Sequence, residues 1–172
     1  SPRYELGLQQ KEDALHRLLD VWATGEASAA LGFAAARMFD ELDPIERRAN
    51  EVLAEMGVGG GSARFKTLRR LSKDALEYLE LQGKSPKARD EERFAQLGEN
   101  PMVKYLLLDS LANVFCPACK LWNTGHGATM MREAVSLMGG YGITEDCPGF
   151  LTYKWMDSQL EATYEGPESV QR

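Results

Sequence analysis

From about Leu8 to Leu42 the apolar residues recur at α-helical spacing: Leu15, Leu18, Leu19, Trp22, Ala29, Phe33, Ala36 and Phe39. The middle of this stretch, Ala23 to Ala36, is rich in Ala and Gly. Small residues let a second helix come close, so the pattern predicts a long helix packed along its length. Gly25 and Gly32 each cost up to about 1 kcal/mol of helix propensity, which packing has to offset. Asp43-Pro44 with Glu46 reads as a stop and a restart: Asp43 caps, Pro44 takes the first helical position, and Glu46 sits at the capping-box distance. The second helix would carry Ile45, Ala49, Val52, Leu53 and Met56 on one face. The run Gly57 to Ser62 is a connector. It also has the glycine content of a phosphate cradle, but no strand precedes it and the Lys-Ser/Thr ending of a P-loop is missing.

Ser62 is expected to cap a third helix with Phe65, Leu68, Leu71, Ala75, Leu76 and Leu79 as its core stripe, closed by Gly83. Ser85-Pro86 opens a short charged helix that ends near Gly98. Asn100-Pro101 opens the longest helix, reaching about Met138. Its stripe is Val103, Leu107, Leu111, Val114, Phe115, Ala118, Leu121 and Trp122. Pro117 kinks or breaks this helix, because it removes a backbone donor. Gly125-His126-Gly127 is a second soft point. Asp146-Cys147-Pro148 starts a last helix of about four turns, with Phe150, Leu151, Trp155 and Leu160 turned inward. No segment alternates apolar and polar residues long enough for a strand. The fold class is all-α: one up-and-down helical bundle over residues 1–172.

Composition narrows the partners. The 172 residues carry a net charge of −6 with no clustered Lys and Arg footprint, which disfavours nucleic acid. Lys66, Arg69, Arg70 and Lys73 form a local basic side of the third helix, read either as a solvated face or as a dock for an acidic partner. No apolar run is expected to approach the roughly 18 residues that span a bilayer. No secretory leader opens the sequence, and three cysteines argue against a disulfide framework. A cytoplasmic location fits these features. The sequence starts without Met, directly in a helical pattern, which is the expectation for a portion of a longer protein.

Three groups carry candidate chemistry. Cys116-Pro117-Ala118-Cys119 has redox or metal-binding spacing, but both sulfurs fall inside a helix and only Cys147, His16 and His126 remain as further soft ligands. Small buried thiols are the alternative reading, and no metal site is expected. His126, between two glycines, is either a general base or a structural side chain, and no Ser or Cys nucleophile pairs with it. Glu165 closes the last helix between Tyr164 and Gly166-Pro167. A carboxylate held by a turn in an apolar setting has its pKa raised by desolvation, which suits a base near neutral pH. An ordinary capping turn is the other reading of Glu165.

The two ends of the last segment also carry a family likeness. Ala134 to Gly142 (AVSLMGGYG), then Asp157, then Ala162 to Gly166 (ATYEG) and Gln171-Arg172 resemble the end of the acyl-CoA dehydrogenases. That family reads approximately A-V-Q-x-x-G-G-x-G, then R-D, then I-Y-E-G-T-x-x-I-Q-R. The spacing between the blocks matches as well. The likeness is weaker from Lys120 to Arg132 and from Leu15 to Asp43. Residues 44–98 are longer than the family's usual connection and form an extended helical insertion.

The resemblance implies FAD-dependent α,β-desaturation of an acyl-CoA thioester. Glu165 matches the base that removes the Cα proton. Its backbone amide would help bind the thioester oxygen, and Tyr164 and Gly166 would line the substrate. Ser136, Gly139, Gly140 and Pro167 match positions beside the flavin, the two glycines toward the FAD of a neighbouring subunit. An electron-transferring flavoprotein and a homo-oligomer are implied as partners. The sequence departs from the family pattern at Pro167 (usually Thr), Ser136 (usually Gln) and Met156 (usually Arg). The family's N-terminal helical domain, its β-domain and its Arg-x-x-Phe-Gly element have no counterpart here. The implied identity is therefore the C-terminal portion of a longer enzyme, inactive alone. A non-catalytic assembly module, or a flavin oxidase or reductase on the same fold, are the competing readings.

Overall fold

The computed structural model describes Gly7, residues 10–144, residues 150–161 and Thr163. Among the described residues the chain is all-α, with no strand. The elements are α1 (Glu12–Glu55), α2 (Ser62–Gln82), α3 (Glu91–Glu99), α4 (Pro101–Leu121), a π-helical turn (Trp122–Gly127), α5 (Ala128–Leu137), a 3-10 turn (Gly139–Gly142) and α6 (Phe150–Glu161).

The expected stop at Asp43-Pro44 does not occur. Helix α1 runs through Pro44 for 44 residues and is the longest element described, so the expectation for the helix at Pro101 is also corrected. A helix-interior proline costs about 3 kcal/mol, because it removes one N–H and crowds the carbonyl four residues back. Here the apolar stripe on both sides of Pro44 faces one core. Leu42, Ala49 and Leu53 are buried, and Met38, Ile45 and Val52 pack beside them. Breaking the helix would rotate one half of that stripe out of register. Asp43, expected as a cap, instead pairs with Arg47 one turn on.

Other boundaries shifted for local reasons. Position 61, not Ser62, is the N-cap of α2: Gly61 has φ +67°, and no side chain caps the helix. Gly83 does close α2, its N–H donating to the Leu79 carbonyl at 3.0 Å. Helix α3 begins after Asp90, not at Ser85-Pro86, because the Asp90 carboxylate accepts from the Arg93 backbone N–H at 3.0 Å. Ser85 is used in a turn instead, its carbonyl accepting from the Ala88 N–H. Asn100 Oδ1 accepts from the Met102 N–H at 2.9 Å and starts α4 as expected. Helical structure continues past Pro117 without a break. The irregularity falls at Trp122–Gly127, where the second soft point was expected. Pro101–Leu137 contains an 18-residue window of mean hydropathy 1.2, apolar enough by length and composition to cross a bilayer. That corrects the expectation that no such run exists; mostly buried core helices pass the same test, and 22% of this window is buried.

The chain divides into two compact units, residues 35–114 and residues 1–34 with 115–172. In the first, Leu42, Ala49 and Leu53 of α1 pack on Met102, Tyr105 and Ala112 of α4. Ala75 and Leu81 of α2 meet Leu97 of α3 and Val103 of α4 in a second cluster. Polar and aromatic contacts tie α2 to the α3 region. The Tyr78 and Phe94 rings stack at 4.9 Å, and the Arg89 guanidinium lies over the Phe94 ring, 4.0 Å from its centroid. Arg93 grips Glu77 through two nitrogens, at 3.0 and 2.6 Å.

Several residues expected in the core are exposed. In α1 these are Leu15, Leu18, Leu19, Trp22, Phe33 (77% exposed) and Phe39. In α2 they are Phe65, Leu76 and Leu79, and in α4 Leu111 and Val114. Val103 is buried as expected, but the rest of the buried face of α4 is Met102, Tyr105 and Ala112. Gly25 and Gly32 have no heavy atom within 4 Å of where a Cβ would stand, so neither permits a close helix approach here. The basic side Lys66, Arg69, Arg70 and Lys73 is exposed.

Two measurements check this packing. Leu53→Ala, at a 2% exposed site, is expected to cost about 2–5 kcal/mol in urea unfolding, and Phe33→Ala less than about 0.5 kcal/mol. The hydrogen bonds from Arg93 hold the Glu77 carboxyl below its usual range. A depressed folded pKa contributes stability above the unfolded value of about 4.3, and that contribution is lost as pH falls through the folded value. The stability gap between the native chain and Glu77→Gln should therefore be present at pH 7 and close below about pH 4.

Candidate functional site

The glycine block expected beside the flavin stands at the end of α5, on a platform made with the first half of α1. Three side-chain pairs set the register. The Arg17 Nε donates to Glu133 Oε2 at 3.0 Å, Thr24 Oγ1 lies 3.1 Å from His126 Nε2, and the Trp122 indole N–H donates to Ser28 Oγ at 3.2 Å. From pair to pair the positions advance by seven and four residues on α1 and retreat by seven and four on the partner. Those are helical same-face steps, so the two segments run antiparallel with one face each in contact.

The π-helical turn belongs to this register. It brings Trp122 and His126 together, ring centroids 4.7 Å apart, while His126 meets Thr24, a buried polar residue of the unit. His126 thus has a structural partner on α1, in line with the structural reading. Sequence reasoning missed Arg17, Thr24 and Glu133, because nothing in the sequence aligns α1 with α5 before their register is known.

Helix α5 ends at a glycine for a conformational reason. Gly139 has φ +60°, the left-handed position that commonly follows a helix C-terminus. Gly140 has open space where a Cβ would stand. Gly142 is buried, and a Cβ there would collide with the Val135 carbonyl and lie 3.1 Å from Met138 Cβ. The Thr152 hydroxyl of α6 donates to the Gly142 carbonyl and fastens the last helix to the turn. Ser136, one turn earlier, accepts a hydrogen bond from Arg17 Nη2 at 3.3 Å. Ser136, Gly139 and Gly140 all lie on the exposed side. The structure therefore brings these three expected cofactor contacts together. Tyr164, Glu165, Gly166 and Pro167 lie outside the described residues.

Residues 100–172 match the family described as acyl-CoA dehydrogenase, C-terminal domain. The last part of this chain is acyl-CoA dehydrogenase-like. The match takes in both the glycine block and the Tyr164–Gly166 block. It covers less than half of the chain and does not reach the weaker likeness at Leu15–Asp43 or residues 44–98. Comparisons with curated proteins and with solved structures returned no match.

Within the acyl-CoA dehydrogenase-like segment, Cys116 and Cys119 are half-buried free thiols. Burial pushes the Cys116 thiol up, which lowers its thiolate fraction and its reactivity. The Asn123 amide donates to Cys119 Sγ at 3.5 Å. Among the described residues no three His, Cys, Asp or Glu side chains converge on a metal position; Cys147 lies outside them. In α6, Leu151 and Trp155 are half-buried and Met156 is exposed, while the side chains of Phe150 and Leu160 lie outside the description.

The glycine turn gives a graded test by thermal or urea unfolding. Gly140→Ala should be near neutral. Gly139→Ala should cost about 1–2 kcal/mol, from its left-handed backbone. Gly142→Ala should cost about 1–3 kcal/mol, from overpacking against Val135.

Proposed function

We propose that the chain is the C-terminal portion of an FAD-dependent acyl-CoA dehydrogenase and that Glu165 is its catalytic base. The observation that carries the reading is the family match over residues 100–172, which contains both sequence blocks in their expected order. In this reading the Glu165 carboxylate takes the proton from Cα of the acyl thioester. The Cα–Cβ double bond forms as hydride leaves Cβ. Backbone N–H donors at Glu165 stabilise the negative charge that develops on the thioester oxygen. Tyr164 and Gly166 line the acyl group. FAD, when bound, supplies the acceptor for the hydride, and an electron-transferring flavoprotein then takes the electrons.

The fit of the flavin to the described residues is that of a contact surface. Gly139 and Gly140 are exposed, and no heavy atom lies within 4 Å of where a Cβ would stand at either. An exposed turn lies against a ring but does not enclose it, so Ser136, Gly139 and Gly140 would meet a flavin held mostly by other segments. Pro167 in place of Thr offers that flavin neither hydroxyl nor N–H.

A second reading, assembly, is favoured by the exposed stripe Leu15, Leu18, Leu19, Trp22 and Phe33 on α1. An exposed apolar face of this kind is one that protein–protein contact would cover. Self-association of the complete enzyme through this helix is compatible with the catalytic reading. A module of assembly alone is not.

The test separates them. In the complete protein, Glu165→Gln should lower the rate of flavin reduction by acyl-CoA by at least about a hundredfold, the scale of a lost general base. It should leave oligomeric state unchanged. Unaltered reduction kinetics would assign the chain to assembly alone.

A further inference from the structure

Residues 35–114 contain a groove of about 570 Å³ that the proposed desaturation does not use. One wall is α4, through Lys104, Leu107, Leu111 and Val114; the facing wall comes from Leu79 and Gln82 of α2 and Ile45 of α1. Five of its lining residues, Ile45, Tyr78, Leu79, Gln82 and Gly98, precede the segment that matches the family.

The groove is mostly apolar, with Gln82 and Lys104 toward one end and Tyr78 and Ser110 as its other polar side chains. Gln82 is the last residue of α2, Gly98 lies in the last turn of α3 and Lys104 in the first turn of α4, so the polar end sits where these helices finish and begin. Lys104 is the one charged residue in the lining. Among the described residues its ammonium pairs with the exposed Glu99 carboxylate, at 3.5 Å, a weak surface pair that yields readily to a competing anion. The Ser110 hydroxyl is already used, donating to the Leu106 carbonyl at 2.7 Å. Beyond Lys104 the wall is Leu107, Leu111 and Val114, the last 67% exposed. These are residues that the helical periodicity assigned to the core.

From Lys104 to Val114 the helix advances about 15 Å. A zigzag carbon chain advances about 1.3 Å per bond of 1.5 Å, so that distance accommodates about a dozen carbons. The volume falls within the range of about 300–1,000 Å³ usual for small-molecule sites. A single cation matches a single negative charge.

We propose that this groove binds a free fatty carboxylate of about twelve carbons, with its head at Lys104 and Gln82 and its chain along Leu107, Leu111 and Val114. The occupant is the carboxylate rather than a peptide helix, because the lining offers one charged contact at one end and almost none along its length. The apolar chain gains by leaving water, and the lysine fixes its direction.

Calorimetric titration of the 172-residue chain with dodecanoate, below its micelle-forming concentration, tests this. The expected result is saturable one-to-one binding that Leu111→Glu weakens at least tenfold. Lys104→Glu should weaken dodecanoate several-fold and leave dodecanol unchanged. Both substituted residues are exposed, and helicity by circular dichroism confirms that each variant is folded. Val114→Glu serves as the second tail variant should Leu111→Glu unfold. Absence of saturable binding overturns the proposal, as does dodecanoate binding that is indifferent to both tail variants. Equal loss of dodecanol and dodecanoate in Lys104→Glu overturns the head assignment. A concentration-dependent dimer abolished by Leu111→Glu and untouched by dodecanoate would assign the groove to a second copy of the chain.

Discussion

Burial of Leu42, Ala49 and Leu53 against Met102, Tyr105 and Ala112 is the interaction on which residues 35–114 depend. It keeps α1 continuous across Pro44, although proline at that point removes a hydrogen bond and crowds the preceding turn. Three buried side chains recurring every four to seven residues contribute several kcal/mol of apolar burial, enough to outweigh one proline. The same cluster fixes the rotation of α4. With Met102, Tyr105 and Ala112 facing α1, Lys104, Leu107, Leu111 and Val114 are carried onto the groove. The apolar groove is thus a consequence of which face of α4 the core selected.

Much of the fold was legible in the sequence. The helical period gave the class, Asn100 gave the start of α4, Gly83 the end of α2, and the Gly-His-Gly run the helix irregularity. What failed was the choice of face and the reading of local signals against tertiary packing. Leu15, Trp22 and Phe33 have helical spacing, but periodicity identifies an apolar face without saying what covers it. Asp43-Pro44 is a sound local stop signal that a continuous buried stripe overrode. Ser85 suits a helix start, but the helix begins after Asp90, whose carboxylate accepts from the Arg93 backbone N–H while the Arg93 side chain reaches Glu77.

The candidate site was legible in a different way. Gly139, Gly140 and Gly142 looked alike as sequence, yet the structure gives each a separate role. One takes a left-handed backbone, one leaves open main chain, and one admits the Val135 carbonyl. Their support on Arg17, Glu133 and the Thr24–His126 pair was invisible, because it depends on the antiparallel register of distant segments. The functional reading rests on the sequence blocks and the family match. Geometry adds that Ser136, Gly139 and Gly140 are exposed at the end of a helix paired with the first half of α1.

The central claim is that this chain supplies a base and a glycine surface to a flavin site that other segments must close. Visible absorbance of the purified 172-residue chain, incubated with FAD, desalted and mixed with acyl-CoA and an electron-accepting dye, tests it most directly. The account expects a colourless protein and no acyl-CoA-dependent dye reduction. A chain that stays yellow and reduces the dye when acyl-CoA is added would contradict it.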